Sequence, residues 1–424
     1  MSFDLARRPL IAALVAIGAT FAAGCSLAAD EASDDAEETA ASTDAIVDIN
    51  NTRVKRQSIG NCWLYATASW AESIAKSASP TNTELNMSES YWTYWDWFDK
   101  IANGSTTGEE VQTGGWYSSA AEIINRYGVM TEGAFIPSES LDEMSLRQKS
   151  ALEKINASLK SGALQTAAAR RDRALVRKEL DLAWQLSPSM VSQLNRVFGT
   201  SVSRTLDRST VSTSFTSIRR ASTIRVQLRD PETKQPVVVT LQDAIGTRTS
   251  TWGPRSGRYA WQLNSYPYSA SARRTMLARV QRAMHDRQPV IMSWYVDFNA
   301  LDTYGRFAAP PATPGHQGGH MVVVEDYQIN DVPGFGTLKV GIPETRPEAL
   351  QAALSSSAKI EFIRVKNSWG SYRPDRQFVV PGYHDLYMEY LDGPIKHCTQ
   401  DDNGSTDDCY DDTPLNDFVL PAGY

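Results

Sequence analysis

The stretch QSIGNCWLYA, residues 57–66, decides how the rest of the chain is read. Cys62 stands at the head of a run in which Trp63, Ala66, Trp70 and Ile74 recur on one helical face. The spacing predicts a helix from Cys62 to Ala78 with the thiol in its first turn. Unpaired N–H groups and the positive end of the helix dipole favour a thiolate there, so the thiol pKa is expected to fall. A buried structural thiol is the other reading of a lone Cys. A nucleophilic Cys needs an imidazole and a group that orients it. Of the five histidines, His320 in GGHMVVV (318–324) sits at the mouth of an apolar strand. His316, four residues earlier, is the rival base. Asn367 in VKNSWG (365–370) ends a second strand, and its amide can accept from one ring nitrogen and fix the tautomer.

Working outward, residues 86–128 hold two further helical segments around a Gly/Thr loop, and 141–198 read as two or three helices. The period then changes. Ile224, Val226 and Leu228 alternate with polar residues, turn at Asp230-Pro231, and return through Val237, Val239 and Leu241, which predicts a hairpin. A helix over 271–286 and strands near 289–295, 320–327 and 360–366 complete the expectation. Helices first and strands later reads as α+β. The aromatic run Tyr91 to Phe98 is expected to be core rather than a ligand platform.

The chain has 424 residues, with 42 Lys+Arg, 49 Asp+Glu and a net charge of −7, which argues against nucleic acid as a partner. Thirteen of those acids lie in residues 30–45 and 401–412, so the body is mildly basic. Four cysteines are too few for a disulfide-stapled scaffold. Arg7 and Arg8, the apolar stretch from Pro9 to Phe21 and the small residues before Cys25 read as an export signal. Residues 26–50 read as an acidic linker. Cys398 and Cys409 bracket an acidic loop, and in an exported protein a disulfide closing it is the default. Asp401, Asn403, Ser405 and Asp407 echo the start of a calcium loop, but Thr406 and Asp412 occupy the places of its Gly and Glu, so a solvated segment is expected and no metal is assigned.

Gln…Gly-x-Cys-Trp, then Gly-His before a Val-rich strand, then Lys-Asn-Ser-Trp-Gly, in that order, resembles the papain superfamily of cysteine peptidases. LNMSESYWTYWDWFDK (85–100), Gly114-Gly115-Trp116, Tyr127-Gly128-Val129 and Pro137 to Ser140 are similar to its bleomycin hydrolase and bacterial aminopeptidase C branch. The resemblance covers residues 54–138 and about 270–392, and implies a two-lobed fold with an insertion over about 139–270. It implies a peptidase domain over 51–392 and an acidic C-terminal tail over 393–424. By the same resemblance Cys62 is the nucleophile, His320 the general base and acid, Asn367 the orienter, and Gln57 part of the oxyanion hole. Trp369 shields the Asn367–His320 bond, and Trp63 and Gly319 line the site. Gln57 lies five residues before Cys62 where the family keeps six, and about residues 330–358 are inserted between the His and Asn strands. In this branch the C-terminus lies in the cleft and restricts cleavage to peptide ends. The Gly24-Cys25 ending resembles a lipoprotein signal, which implies a lipid anchor on Cys25 and, with Ser26, the outer membrane. The substrate implied is a peptide or protein, with no cofactor. A cell-wall acyl transferase or amidase on the same Cys-His site, and a non-catalytic surface-binding lipoprotein, are the alternatives.

Overall fold

The computed structural model describes residues 46, 49–81, 83–206, 216–250, 254–399 and 408–424. Cys25 and the acidic residues 401–407 lie outside them. Within them no helix is long and apolar enough to cross a membrane.

The helical half begins with α1 (Cys62–Ala78), α2 (Glu89–Ala102), α3 (Tyr117–Tyr127) and the short α4 (Glu132–Phe135). It continues through α5 (Leu146–Ser161), α6 (Ala167–Arg171), α7 (Arg173–Ala183) and α8 (Pro188–Phe198). Their starts follow local chemistry. The hydroxyls of Ser88, Ser145, Thr166 and Ser187 and the carboxylate of Asp172 each accept a first-turn N–H. The run from Tyr91 to Phe98 is core, as its periodicity predicts: Tyr91, Trp92, Tyr94, Trp95, Trp97 and Phe98 are all fully buried. Trp95 stacks on Tyr127 at 4.0 Å and meets Phe198 edge-on at 4.7 Å.

The expected hairpin is present as β1 (Arg225–Arg229) and β2 (Pro236–Thr240), paired from Arg225↔Thr240 to Arg229↔Pro236. After α9 (Leu241–Ile245) comes a two-residue pair, β3 (Thr247–Arg248) with β4 (Arg255–Ser256). The middle of the chain is no separate module. Ile155, Leu180, Trp184, Leu194, Phe198, Val226 and Leu228 join the same core as Trp70, Trp95 and Ile124.

The β-rich half holds β5 (Gln262–Ser265), α10 (Ala270–His285), β6 (Val290–Asp297), β7 (Arg306–Phe307), β8 (Gln317–Val332) and β9 (Gly336–Leu338). It ends with α11 (Pro347–Ala352), β10 (Lys359–Lys366), β11 (Tyr383–Tyr387), α12 (Met388–Leu391), β12 (Ile395–Thr399), β13 (Asp408–Asp412) and β14 (Leu415–Leu420). The main sheet runs β5-β14-β6-β8-β10-β11-β7, with β9 beside β8. It is antiparallel except where β11 and β7 pair in parallel. Alternation along β8 sends Met321 and Val323 into the core shared with α1, and Val322 and Val324 into the core under α10. The chain is therefore α+β, with the sheet packed on both faces.

Three boundaries differ from those read off the sequence. Ile46 and Ile49 are buried, and the Ile46 N–H donates to Asp326 Oδ1 at 3.0 Å, so the folded body starts inside the expected linker. The expected inserted segment over 330–358 contributes β9 and α11. Within the expected tail, β14 lies between β5 and β6, with Leu415, Phe418, Val419 and Leu420 buried. The strand is short, LNDFVL, and lacks a period-2 pattern that would mark it beside the acidic run.

Candidate active site

Asn61 precedes α1 with φ −113° and ψ 31°, and its carbonyl accepts the Leu64 N–H at 2.9 Å. Its side chain faces the protein: Nδ2 donates to Thr93 Oγ1 of α2 at 2.9 Å and to Gln148 Oε1 of α5 at 3.0 Å. Cys62 follows as a free, buried thiol, 7% exposed. The backbone N–H groups of Met321, Trp63 and Cys62 itself favour the thiolate. The expected depression of the thiol pKa does not occur. Burial outweighs those N–H groups and pushes it up to about 11.

His320 starts the apolar part of β8, opposite Trp294 of β6. It is 2% exposed, and burial holds its pKa down at about 4 despite the bond to Asn367. Its tautomer follows from geometry. The Ser368 N–H, which can only donate, gives its proton to Asn367 Oδ1 at 2.7 Å, so the oxygen of that amide is identified. His320 Nε2 lies 2.7 Å from the same oxygen and therefore carries the hydrogen. The other ring nitrogen, Nδ1, is a bare lone pair, buried and with no hydrogen-bond partner among the described residues. Met321 and Val323 of this strand share one buried core with Cys62 and Leu64, so β8 packs against α1. The Cys62 thiol and the His320 imidazole are both held neutral, and no hydrogen bond joins the Cys62 sulfur to His320 Nδ1.

Trp369 stacks on His320 with centroids 4.6 Å apart and is itself 1% exposed, so it covers the imidazole–amide bond from water. Phe298 lies against Trp369 at 5.3 Å and stacks on His316 at 6.0 Å, which places His316 behind the shield rather than at the bond to Asn367. Gln57 reaches the same wall. Its N–H donates to Ser368 O at 2.9 Å, its Oε1 accepts from Ser368 Oγ at 2.6 Å, and its Nε2 donates to Ile59 O at 2.9 Å. Trp63 is 1% exposed and packs on the loop before α3: its Nε1 donates to Thr113 O at 3.0 Å. A methyl group on Gly115 would come within 2.5 Å of its ring, so that loop approaches because residue 115 is Gly. Gly319 is exposed, with open space where a Cβ would project. Beside it, Tyr295 stacks on His397 at 3.9 Å and His397 on Tyr410 at 4.8 Å, so the β12–β13 hairpin forms a wall next to Gly319. The Cys398–Cys409 disulfide closes that hairpin.

The C-terminal residue sits elsewhere. Arg279 donates to Tyr424 O at 2.6 Å, Lys234 lies 4.0 Å from its ring, and its hydroxyl donates to Asp286. Those contacts dock it on α10 and the β1–β2 turn, not on Cys62.

Three residues had escaped the sequence reading. Gln148 ties Asn61 to Tyr65 and Ser90 in a buried network. Ser368 orients Asn367 and holds Gln57, and its place inside VKNSWG was the available signal. His384 lies 3.4 Å from Asn367 Nδ2, and no motif marks it. Among the described residues, no group of three or more His, Cys, Asp or Glu is placed to hold a metal ion.

No protein-family model and no curated protein matches the chain. Among solved structures it is similar to xylellain, a cysteine protease from Xylella fastidiosa, at 12% identity over 94% of this chain and 96% of that one, with a TM-score of 0.35. It is also similar to PepW from Lactobacillus rhamnosis, at 11% identity over 89% of this chain and 81% of that one, with a TM-score of 0.41. At TM-scores below 0.5 neither likeness bears on function.

Proposed function

We propose that this chain is an exported, lipid-anchored cysteine peptidase of the papain-like class, nearest the bleomycin hydrolase and aminopeptidase C branch. The observation that carries the reading is the shielded bond from His320 Nε2 to Asn367 Oδ1, which leaves Nδ1 as the base, next to Met321 in the core that Cys62 shares. In the reaction the Cys62 sulfur attacks the scissile carbonyl carbon while its proton passes to His320 Nδ1. The Cys62 N–H and Gln57 Nε2 are the donors for the oxyanion that forms. Collapse breaks the C–N bond, the departing amine takes the proton from Nδ1, and a thioester remains. Water then attacks that thioester, gives a proton to Nδ1, and releases the carboxylic acid as the thiol is restored.

With the thiol near 11 and the imidazole near 4, a preformed ion pair is disfavoured in the resting protein. The proton therefore moves in step with the attack.

A peptide-library digest by wild type and Cys62→Ala, read by mass spectrometry, tests the function. Cleavage by wild type alone supports it, and ligated products point to the transferase reading. No Cys62-dependent product, with no labelling by a thiol-directed epoxide, leaves a non-catalytic binding protein. Acylation on a mature N-terminal Cys25, seen by mass, tests the anchor.

A further inference from the structure

The amide of Asn367 is bonded on both sides, and one side is unaccounted for by the chemistry above. Its Oδ1 takes the Ser368 N–H and the His320 Nε2–H, both at 2.7 Å. Its Nδ2 then faces Nδ1 of His384 at 3.4 Å. His384 is 1% exposed and sits on β11, paired with Val365 of β10. The two strands hold the pair together, since the Asn367 N–H donates to Gly382 O at 3.0 Å. An amide nitrogen only donates, so His384 Nδ1 must accept and the ring's hydrogen must be on Nε2. That Nε2 is buried without a hydrogen-bond partner among the described residues, amid Trp369 at 5.0 Å, Phe378 at 5.1 Å and Phe307 at 6.4 Å. The charged or titratable groups that face the ring are His320, Arg373 and Arg376, all of which oppose a positive charge on it. Burial, the larger effect, acts the same way, so the ring stays neutral with its pKa near 3.

We infer that His384 is a positioning residue: by accepting the Asn367 Nδ2–H it locks the amide with Oδ1 toward His320, and so holds His320 in the tautomer that leaves Nδ1 basic. Without that acceptor the Nδ2–H group would be buried and unmatched, and the amide could rotate away from the imidazole. The inference rests on the peptidase reading for its kinetic consequence but not for its structural one.

The test therefore has two arms. In histidine-labelled wild type, 15N NMR should show His384 protonated at Nε2 and bare at Nδ1, and a slowly exchanging His320 Nε2–H that vanishes in His320→Gln. His384 protonated at Nδ1 overturns the proposal with no variant of His384 needed. In the second arm, His384→Phe keeps the aromatic packing and removes the acceptor. The His320 Nε2–H should then exchange about tenfold faster, and kcat should fall about tenfold with KM unchanged. Loss of the oriented Asn367 weakens the imidazolium, so the acidic limb of the kcat–pH profile, set by protonation of His320, should move to lower pH. His384→Gln, which can accept again, should restore most of kcat, and His384→Phe should cost nothing further in an Asn367→Ala background. Unchanged exchange in His384→Phe, or a full additional loss beside Asn367→Ala, overturns the proposal. If wild type cleaves no peptide, the peptidase reading fails alone, and the NMR arm still decides the role of His384.

Discussion

Removing residues 413–424 deletes β14, and the structure sets what that should cost. Leu415, Phe418, Val419 and Leu420 are each at most 2% exposed. Burying such side chains stabilises by about 1.5–3 kcal/mol apiece, so the four together contribute roughly 6–12 kcal/mol. A whole domain is stable by about 5–15 kcal/mol, so the loss is comparable to everything that holds the β-rich half folded. The deletion also strips ladder partners from both β5 and β6. β6 is the strand that lies along β8 and sets Trp294 opposite His320, so the candidate site should be lost with the sheet. A graded version avoids relying on an all-or-none result. Phe418→Ala empties a site that meets Tyr266 edge-on at 6.3 Å, and should destabilise by about 3–5 kcal/mol. Thermal melts followed by circular dichroism, with urea titrations to give the free energies, are the assay. The 413–424 deletion should lack a cooperative near-ultraviolet transition, and Phe418→Ala should melt on the order of 10 °C lower. A deletion variant that melts cooperatively within a few degrees of wild type would refute the placement of β14 inside the sheet.

Two other outcomes follow from named contacts. Gln148→Leu removes the acceptor on α5 for Asn61 Nδ2, leaving Thr93 as that group's remaining partner. It should lower stability by about 1–3 kcal/mol and slow alkylation of Cys62 severalfold; an unchanged alkylation rate would show that the head of α1 does not depend on α5. His285 is half-buried, bonded to the Tyr327 hydroxyl at 2.6 Å, and held near pKa 4 by burial and then by Arg282. A depressed imidazole contributes stability that is complete above its unfolded pKa of 6.5 and is lost as pH falls through 4. Relative to His285→Gln, wild type should therefore lose on the order of 3 kcal/mol between pH 7.5 and 4, and paired denaturation curves showing a pH-independent difference would contradict this.

The helical start at Cys62 and the strands carrying His320 and ending before Asn367 were legible because each is a local pattern. A 3.6-residue apolar period follows Cys62, and apolar strand residues surround the other two. The pairing of Cys398 with Cys409 was the expected default, but the hairpin of β12 and β13 that it closes was not read from the sequence. β14 was not legible either: six residues, LNDFVL, with no alternating pattern stand just after a run of acids, and only a place between two other strands makes them structural. His384 was equally silent, since it lies 17 residues beyond Asn367 and belongs to no motif.

By itself, then, the sequence determined which residue types stand at a helix head and at strand ends, hence the α+β class and a short roster of candidate groups. Only the tertiary structure decided their state. It buried Cys62 and His320 deeply enough that desolvation, not the helix dipole, sets both pKa values. It brought Gln148 to Asn61 across 87 residues and His384 to the far side of the Asn367 amide. The physical reason is that periodicity records which face of an element is apolar. It carries no record of which partner meets that face, and pKa values and hydrogen-bond geometry depend on the partner.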